Sequence, residues 1–216
     1  MIADRKLVLF VGVGGQGVIT AAEIVGTALH EAGLPVVVGQ LHGMSQRGGS
    51  VEASVLLGPG SSSLATGALA DVLIALEPLE ALRALPRVGR HTAVLLSDGG
   101  IVPYALVRAA QPYPALPEVL GAVRKAGGSA RLVHGPALAD RAGAARTLNI
   151  VMLGALAGLG ALPIPPEALW RAVAERCRPR FLDANHRAFD SGREAVAATT
   201  SVAAGQARDG SEAAHG

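Results

Sequence analysis

The sequence contains one cysteine and few aromatic residues, and each shortage excludes a class of protein. The single thiol, Cys177, can form no internal disulfide and cannot by itself ligate an iron–sulfur cluster or a structural zinc. Aromatic residues are 3% of the 216-residue chain and the basic residues do not cluster, so neither a base-stacking platform nor a phosphate-tracking stripe is visible. These shortages argue against nucleic-acid binding and favour a reducing, cytoplasmic setting.

The chain also lacks an apolar run long enough to cross a membrane. The longest run, "IVMLGALAGLGALPI", is rich in glycine and shorter than the roughly 20 residues of a membrane span. The first residues lead straight into a strand and a glycine loop, which is not the pattern of a signal peptide. Charged residues are 17% of the chain, below the roughly 25% of average soluble proteins. We therefore expect a protein outside the membrane whose neutral surface packs against a partner.

The alternation of apolar runs with segments of helical periodicity predicts the fold class. Continuous or alternating apolar runs predict strands, and spacings of three and four predict helices between them. The predicted strands are 6–13, 34–41, 50–58, 71–77, 91–98 and 130–135. The predicted helices are 16–33, 78–88 and 116–128, and from residue 136 onward, after the last strand, the pattern is helical only. This order predicts an α/β, Rossmann-like sandwich with a mostly parallel sheet flanked by helices and a C-terminal helical cluster.

One domain is expected over residues 1–193. The remaining residues, 194–216, contain few large apolar side chains, which predicts a disordered tail.

The first glycine loop, "GVGGQG" at 12–17, follows the first predicted strand. Gly12, Gly14 and Gly17 match a G-x-G-x-x-G pattern, in which glycines let the backbone approach a phosphate at a helix N-terminus. Dinucleotide binding also needs an acidic residue after the second strand. No Asp or Glu lies between Glu31 and Glu52, which argues against NAD, and the Gly-Lys-Ser/Thr of a P-loop is absent. The loop either holds a phosphate of another ligand or only makes a tight turn.

The second glycine loop, "HGMSQRGGS" at 42–50, follows the second predicted strand and is richer in binding groups. Arg47 offers a bidentate fork to a phosphate or carboxylate, or alternatively a structural clamp on carbonyls or on a partner. The flanking glycines permit close approach, Met44 offers an apolar contact, and the remaining side chains offer hydrogen bonds. The candidate binding residues of the two loops are Gly12, Gly14, Gly15, Gln16, Gly17, His42, Gly43, Met44, Gln46, Arg47, Gly48, Gly49 and Ser50. Because both loops follow parallel strands, we expect them to be neighbours on one edge of the sheet.

A few residues outside the loops carry weaker predictions. Asn149, at the start of an apolar helix, suits an N-cap. Trp170 and Phe181 are expected to be packing anchors, and Cys177 an ordinary thiol. Asp98 in "SDGG" is interpreted as a turn residue, and the histidines outside the second loop as isolated side chains.

The pairing of "GVGGQGV" with "HGMSQRGGSV" resembles the gamma-type domain of 2-oxoacid:ferredoxin oxidoreductases, over roughly residues 6 to 190. Pyruvate-type members have a Pro-Glu-x-Arg-Gly-Gly version of the second loop. This chain has Met44, Ser45 and Gln46 before the shared Arg47-Gly48-Gly49 and is most similar to the indolepyruvate branch.

The resemblance implies the small beta subunit of an enzyme split between chains. The family oxidatively decarboxylates a 2-oxoacid, transfers the acyl group to coenzyme A and reduces ferredoxin. Thiamine diphosphate, magnesium and the iron–sulfur clusters are expected in a large alpha subunit, and this chain is expected to be inactive alone. Its loops would bind coenzyme A or close over the thiamine site. Two alternatives stay open: another 2-oxoacid substrate, or a non-enzymatic nucleotide-binding or scaffolding module, which neighbouring reading frames would distinguish.

Overall fold

The structure, a computed structural model, describes residues 5–42, 49–59, 67–100, 112–143 and 145–212. For residues 41, 42, 145 and 198–212 it describes the backbone alone.

Six strands form one sheet, in the order β2-β3-β1-β4-β5-β6. The continuous apolar runs of the sequence become strands, and β1 and β4 are buried along nearly their whole length. The strands are β1 (Lys6–Val13), β2 (Val36–His42), β3 (Ser50–Leu57), β4 (Val72–Ala75), β5 (Ala93–Ser97) and β6 (Ser129–Val133). All six correspond to predicted strands, with ends that differ by up to two residues.

The sheet is mostly parallel, as the sequence predicts. The exception is β3, which pairs antiparallel with β1 on one side and with β2 on the other. Its side chains alternate between buried and less buried positions, the pattern of a strand with one face less covered than the other. Because β3 reverses direction, β1 and β2 run parallel and end at the same edge of the sheet.

Seven α-helices lie in the described part of the chain. They are α1 (Val18–Glu31), α2 (Pro78–Arg83), α3 (Leu116–Lys125), α4 (Gly135–Arg141), α5 (Leu148–Leu159), α6 (Pro166–Glu175) and α7 (Leu182–Glu212). Pro78 occupies the first helical position of α2, as predicted. Among the described residues, no helix has both the length and the apolar character that crossing a membrane requires.

The helices cover the two faces of the sheet unequally. Phe10 on one face of β1 packs into a core with α1 and the helices α4 to α7, whereas Leu9 on the other face packs with α2 and α3. The chain thus winds from β1 through α1 towards β2, and from β4 through α2 towards β5 on the opposite face. The carboxyl ends of β1 and β4 therefore mark the point where the winding reverses, which is where ligands of such sheets bind.

The C-terminal helix extends past the predicted end of the folded region. α7 runs through residue 193, and Val196 is 1% exposed within the larger core. The helix therefore continues through residues 194–197, the disordered tail over 194–216 stays a prediction, and residues 213–216 lie outside the described residues. Val196 is buried because helical periodicity returns its side chain to the face that packs on α5.

Candidate functional site

The two glycine loops meet at the carboxyl edge of the sheet. The backbone N–H of Gly14 donates to the carbonyl of Gly49 over 2.9 Å. Val13 at the end of β1 is paired in register with Ser50 at the start of β3. The start of the first loop is thus hydrogen-bonded to the end of the second. The expectation from the strand order was that the two loops lie next to each other at one edge of the sheet.

Gln16 spans the point where the winding of the sheet reverses. Its Oε1 accepts a hydrogen bond from the Val13 N–H over 2.7 Å, and its Nε2 donates to the Leu76 carbonyl over 3.3 Å. The amide therefore connects the carboxyl ends of β1 and β4. Both ends of the side-chain amide have a partner within the protein, so Gln16 holds the loop in shape, and its predicted role in binding a ligand stays a prediction.

Three glycines of the first loop differ in what their surroundings permit. Gly12 is buried, and a Cβ there would lie 2.7 Å from Gln16 Oε1 and 2.8 Å from Val18 Cγ2, so this position serves close packing. Gly15 is exposed with a φ of 103°. Gly17 has a φ of 78°, and a Cβ there would lie 2.6 Å from Asn149 Nδ2. The open side of the loop is therefore at Gly15, where a Cβ would meet nothing within 4 Å, whereas Asn149 covers Gly17.

The N-terminus of α1 provides donors at this open side. Gly17 is the N-cap, no side chain caps the helix, and its first turn contains no acidic residue. The first intrahelical bond runs from the Ala21 N–H to the Gly17 carbonyl, which leaves the N–H groups of Val18, Ile19 and Thr20 without an intrahelical acceptor. Unpaired N–H groups at the positive end of the helix dipole suit an anion.

Two buried carboxylates that the sequence analysis did not predict lie beside the second loop. Glu80 is 2% exposed and accepts hydrogen bonds from Ser50 Oγ and from Arg83 Nη1, each over 2.5 Å. Glu77 is fully buried, caps α2 through the Glu80 N–H over 2.9 Å, and accepts from the Tyr113 hydroxyl. The Ser50 hydroxyl thus donates its hydrogen bond to a carboxylate. Towards any further group it can only accept a hydrogen bond. The one signal in the sequence was the position of Glu77 between a buried strand and Pro78.

The remaining predicted residues of the second loop stay predictions. Gly43, Met44, Gln46, Arg47 and Gly48 lie outside the described residues, as does the side chain of His42.

A second polar pair lies farther along the same edge, after β5 and β6. His134 Nδ1 is 2.7 Å from Asp98 Oδ2, whereas the buried Asp98 Oδ1 has no hydrogen-bond partner among the residues that the structure describes. The interpretation of His134 as isolated is therefore wrong, because adjacent parallel strands bring the residues that follow them together. His186 likewise lies 3.2 Å from Asp190 one turn along α7. In the described ranges, no three His, Cys, Asp or Glu side chains group as a metal ion requires.

Asn149 faces the first glycine loop instead of capping its helix. The N-cap of α5 is Thr147, so the predicted N-cap role is wrong by two positions. Asn149 is 9% exposed, and its Oδ1 accepts from the Ile150 N–H over 3.0 Å. Its Nδ2 is directed towards Gly17. The N-termini of α1 and α5 therefore converge.

The two predicted packing anchors differ. The Trp170 ring packs against His186, with ring centroids 4.5 Å apart, and against Phe189. Phe181 is 44% exposed with the Arg180 guanidinium over its ring, so its prediction as a core anchor is wrong.

Comparison with protein families and curated proteins gives consistent matches. Residues 7–195 match the family model described as pyruvate ferredoxin/flavodoxin oxidoreductase. The indolepyruvate oxidoreductase subunit IorB of Methanothermobacter thermautotrophicus is 39% identical over 186 residues, which cover 86% of this chain and 95% of that protein. The protein of the same name from Archaeoglobus fulgidus is 37% identical over 188 residues, covering 87% and 94%.

Solved structures share the fold at low sequence identity. The gamma subunit of a keto/oxoacid ferredoxin oxidoreductase from Geobacter sulfurreducens has a TM-score of 0.66 at 23% identity, covering 89% of this chain and 99% of that chain. A 2-oxoglutarate:ferredoxin oxidoreductase from Magnetococcus marinus, solved with 2-oxoglutarate, coenzyme A and succinyl-CoA bound, has a TM-score of 0.70 at 22% identity. The match covers 90% of this chain and 31% of that one.

Proposed function

This chain belongs to the pyruvate ferredoxin/flavodoxin oxidoreductase family, and we propose that it is the small subunit of an indolepyruvate:ferredoxin oxidoreductase. The complex would oxidatively decarboxylate an aryl 2-oxoacid, release carbon dioxide, join the acyl group to coenzyme A and pass two electrons to ferredoxin. The identity of 39% to a relative named for indolepyruvate, over nearly its full length, is the observation that carries this proposal.

The catalytic work is divided between two chains in this proposal. A large partner subunit would carry thiamine diphosphate with magnesium, which stabilises the carbanion left by decarboxylation, and the iron–sulfur clusters that accept electrons. This chain would supply a binding surface at the two glycine loops. Because clusters and reduced ferredoxin require a reducing compartment, the proposal includes a cytoplasmic location.

Coenzyme A is the ligand that we assign to the glycine loops. Its pyrophosphate is anionic, and the N–H groups at the start of α1 are unpaired donors beside the exposed Gly15. On the β4 side the acidic Glu77 and Glu80 are held by Tyr113 and Arg83 and offer an anion no donor, so the pyrophosphate would lie on the α1 side. Arg47 would close over it from the second loop, with Gly48 and Gly49 permitting close approach.

Purification of the tagged chain from its native host tests whether a partner subunit carries the cofactors. We expect a large subunit to co-purify with iron and thiamine diphosphate, and the complex to reduce ferredoxin with indolepyruvate only when coenzyme A is present. Co-purification of an unrelated protein without either cofactor would overturn the proposal and favour a scaffolding module.

Substitution of Arg47 in that complex separates coenzyme A binding from closure over the thiamine site. Arg47→Ala is expected to raise the KM for coenzyme A about tenfold or more, since a charge-assisted bidentate contact is lost, with little change in kcat. A fall in kcat at an unchanged KM for coenzyme A would assign Arg47 to the thiamine site instead. Arg124→Ala, on the opposite face of the sheet, is the matched control.

A further inference from the structure

A cavity of about 510 Å³ lies between α1, α5, α6 and the start of α7, next to the contact of Gly17 with Asn149. Its volume falls within the roughly 300–1,000 Å³ of sites for small molecules. A packing gap between α5 and α6, by contrast, measures about 10 Å³ and has room for at most one water. The larger cavity is therefore a site of ligand size.

One wall of the cavity is apolar. Ile24 of α1, Ile150 of α5 and Val173 of α6 form its floor, and the exposed ring of Phe181 lies at its rim. Since these side chains come from separate elements, the wall exists only in the folded chain. Such a surface suits an aromatic or branched apolar group.

The opposite side carries positive charge. None of the eleven described residues that line the cavity is acidic, and two are arginines. Arg176 is neutralised by Glu23 at 2.8 Å, outside the lining. Arg146 is exposed and forms no ion pair with another described residue. One cation thus remains available to a ligand.

A buried donor lies beside this cation. Asn149 lines the cavity with 9% of its surface exposed, and its Oδ1 is used by the Ile150 N–H. Its Nδ2 donates to no acceptor among the described residues, so this N–H pair can donate to a ligand that enters the cavity. The uncapped N-terminus of α5 adds a partial positive charge at the same place.

We propose that this cavity binds a small monocarboxylate with an aromatic or branched apolar body. The carboxylate would accept hydrogen bonds from Arg146 and from Asn149 Nδ2, and the body would pack on Ile24, Ile150 and Val173. A single available arginine matches one negative charge, whereas a phosphate dianion would leave charge unpaired in an apolar site. The inference depends on the geometry of the cavity and does not depend on the proposed reaction.

Cys177 makes the test specific to the site, because it is the only cysteine of the chain and lines the cavity. The full chain is titrated calorimetrically with 2-naphthylacetate and with its uncharged counterpart, 2-naphthylacetamide. In parallel, the rate at which iodoacetamide alkylates Cys177 is measured with and without each compound. We expect the carboxylate to bind with a Kd between about 10 μM and 1 mM, and to slow the alkylation severalfold at saturation.

Two variants identify the contacts. Arg146→Ala is expected to raise the Kd about tenfold or more, through loss of a charge-assisted hydrogen bond, whereas Arg124→Ala leaves it unchanged. Thr20 is an exposed residue of α1 that lines the cavity, and Thr20→Trp would place an indole over the cavity entrance. This variant is expected to abolish both carboxylate binding and the protection of Cys177 from alkylation. His30→Trp, exposed at the other end of α1, is the control for folding and for the added ring.

Three results would overturn the proposal: equal affinity for the acid and the amide, no protection of Cys177, or tighter binding of inorganic phosphate than of the carboxylate. Because this test uses the isolated full chain and the function test uses coenzyme A kinetics in the complex, either can fail without the other.

Discussion

Ser50 links the second glycine loop to the body of the protein through one hydrogen bond. Its hydroxyl donates a hydrogen bond to the buried carboxylate of Glu80, which also accepts a hydrogen bond from Arg83. A carboxylate that is 2% exposed needs each of these donors, because little water reaches it. Ser50 therefore fixes the point at which the second glycine loop joins β3.

Removal of this hydroxyl should have a measurable cost. Ser50→Ala leaves Glu80 Oε2 without its donor and is expected to lower the free energy of unfolding by about 1–3 kcal/mol. Ser129→Ala, at the exposed start of β6, is expected to change it by less than about 0.5 kcal/mol. Urea unfolding followed by the fluorescence of Trp170, the only tryptophan, measures both. Equal stabilities of the two variants would show that the Ser50 bond contributes nothing.

In the described part of the chain, α5 and α7 form the most extensive helix–helix contact, and glycines make it possible. A Cβ at Gly154 of α5 would lie 1.9 Å from the Phe189 carbonyl oxygen, and a Cβ at Gly192 of α7 would lie 1.9 Å from the Val151 carbonyl oxygen. The two backbones touch without side chains between them. The glycine-rich pattern in this late helix thus reflects packing, which also explains how so apolar a helix is buried from Asn149 to Leu156.

Gly154→Ala should force these helices apart. We expect a loss of about 1–3 kcal/mol in the free energy of unfolding, as for other overpacked cores, or a failure to fold. Gly121→Ala on α3, where a Cβ meets nothing within 4 Å, should instead stabilise the chain by about 0.5–1 kcal/mol. If both alanine variants have the same effect on the denaturation midpoint, the contact between α5 and α7 does not require glycine at position 154.

Two observations bear on where the folded body of the whole molecule ends. The family match extends to residue 195, and Val196 is buried in the larger core. We propose a boundary after Ala197, with the remaining residues dispensable for folding.

Two truncations test this boundary. A chain that ends at Arg193 loses the burial of Val196 and is expected to be about 1.5–3 kcal/mol less stable. A chain that ends at Ala197 is expected to unfold at the same urea concentration as the full chain. Equal stability of the two truncated chains would return the boundary to residue 193.

The sequence by itself determined the strands, the parallel α/β class, the family and the position of two glycine loops at one edge. These follow from local apolar periodicity, from turn residues and from motifs that are contiguous in the chain. The direction of β3, the joining of Gly14 to Gly49 and the Ser50–Glu80 bond were decided by the tertiary structure. So were the pairing of Asp98 with His134 and the placement of Asn149 against Gly17. Each of these depends on which strands and helices become neighbours, and residues far apart in sequence leave no local pattern that records their contact.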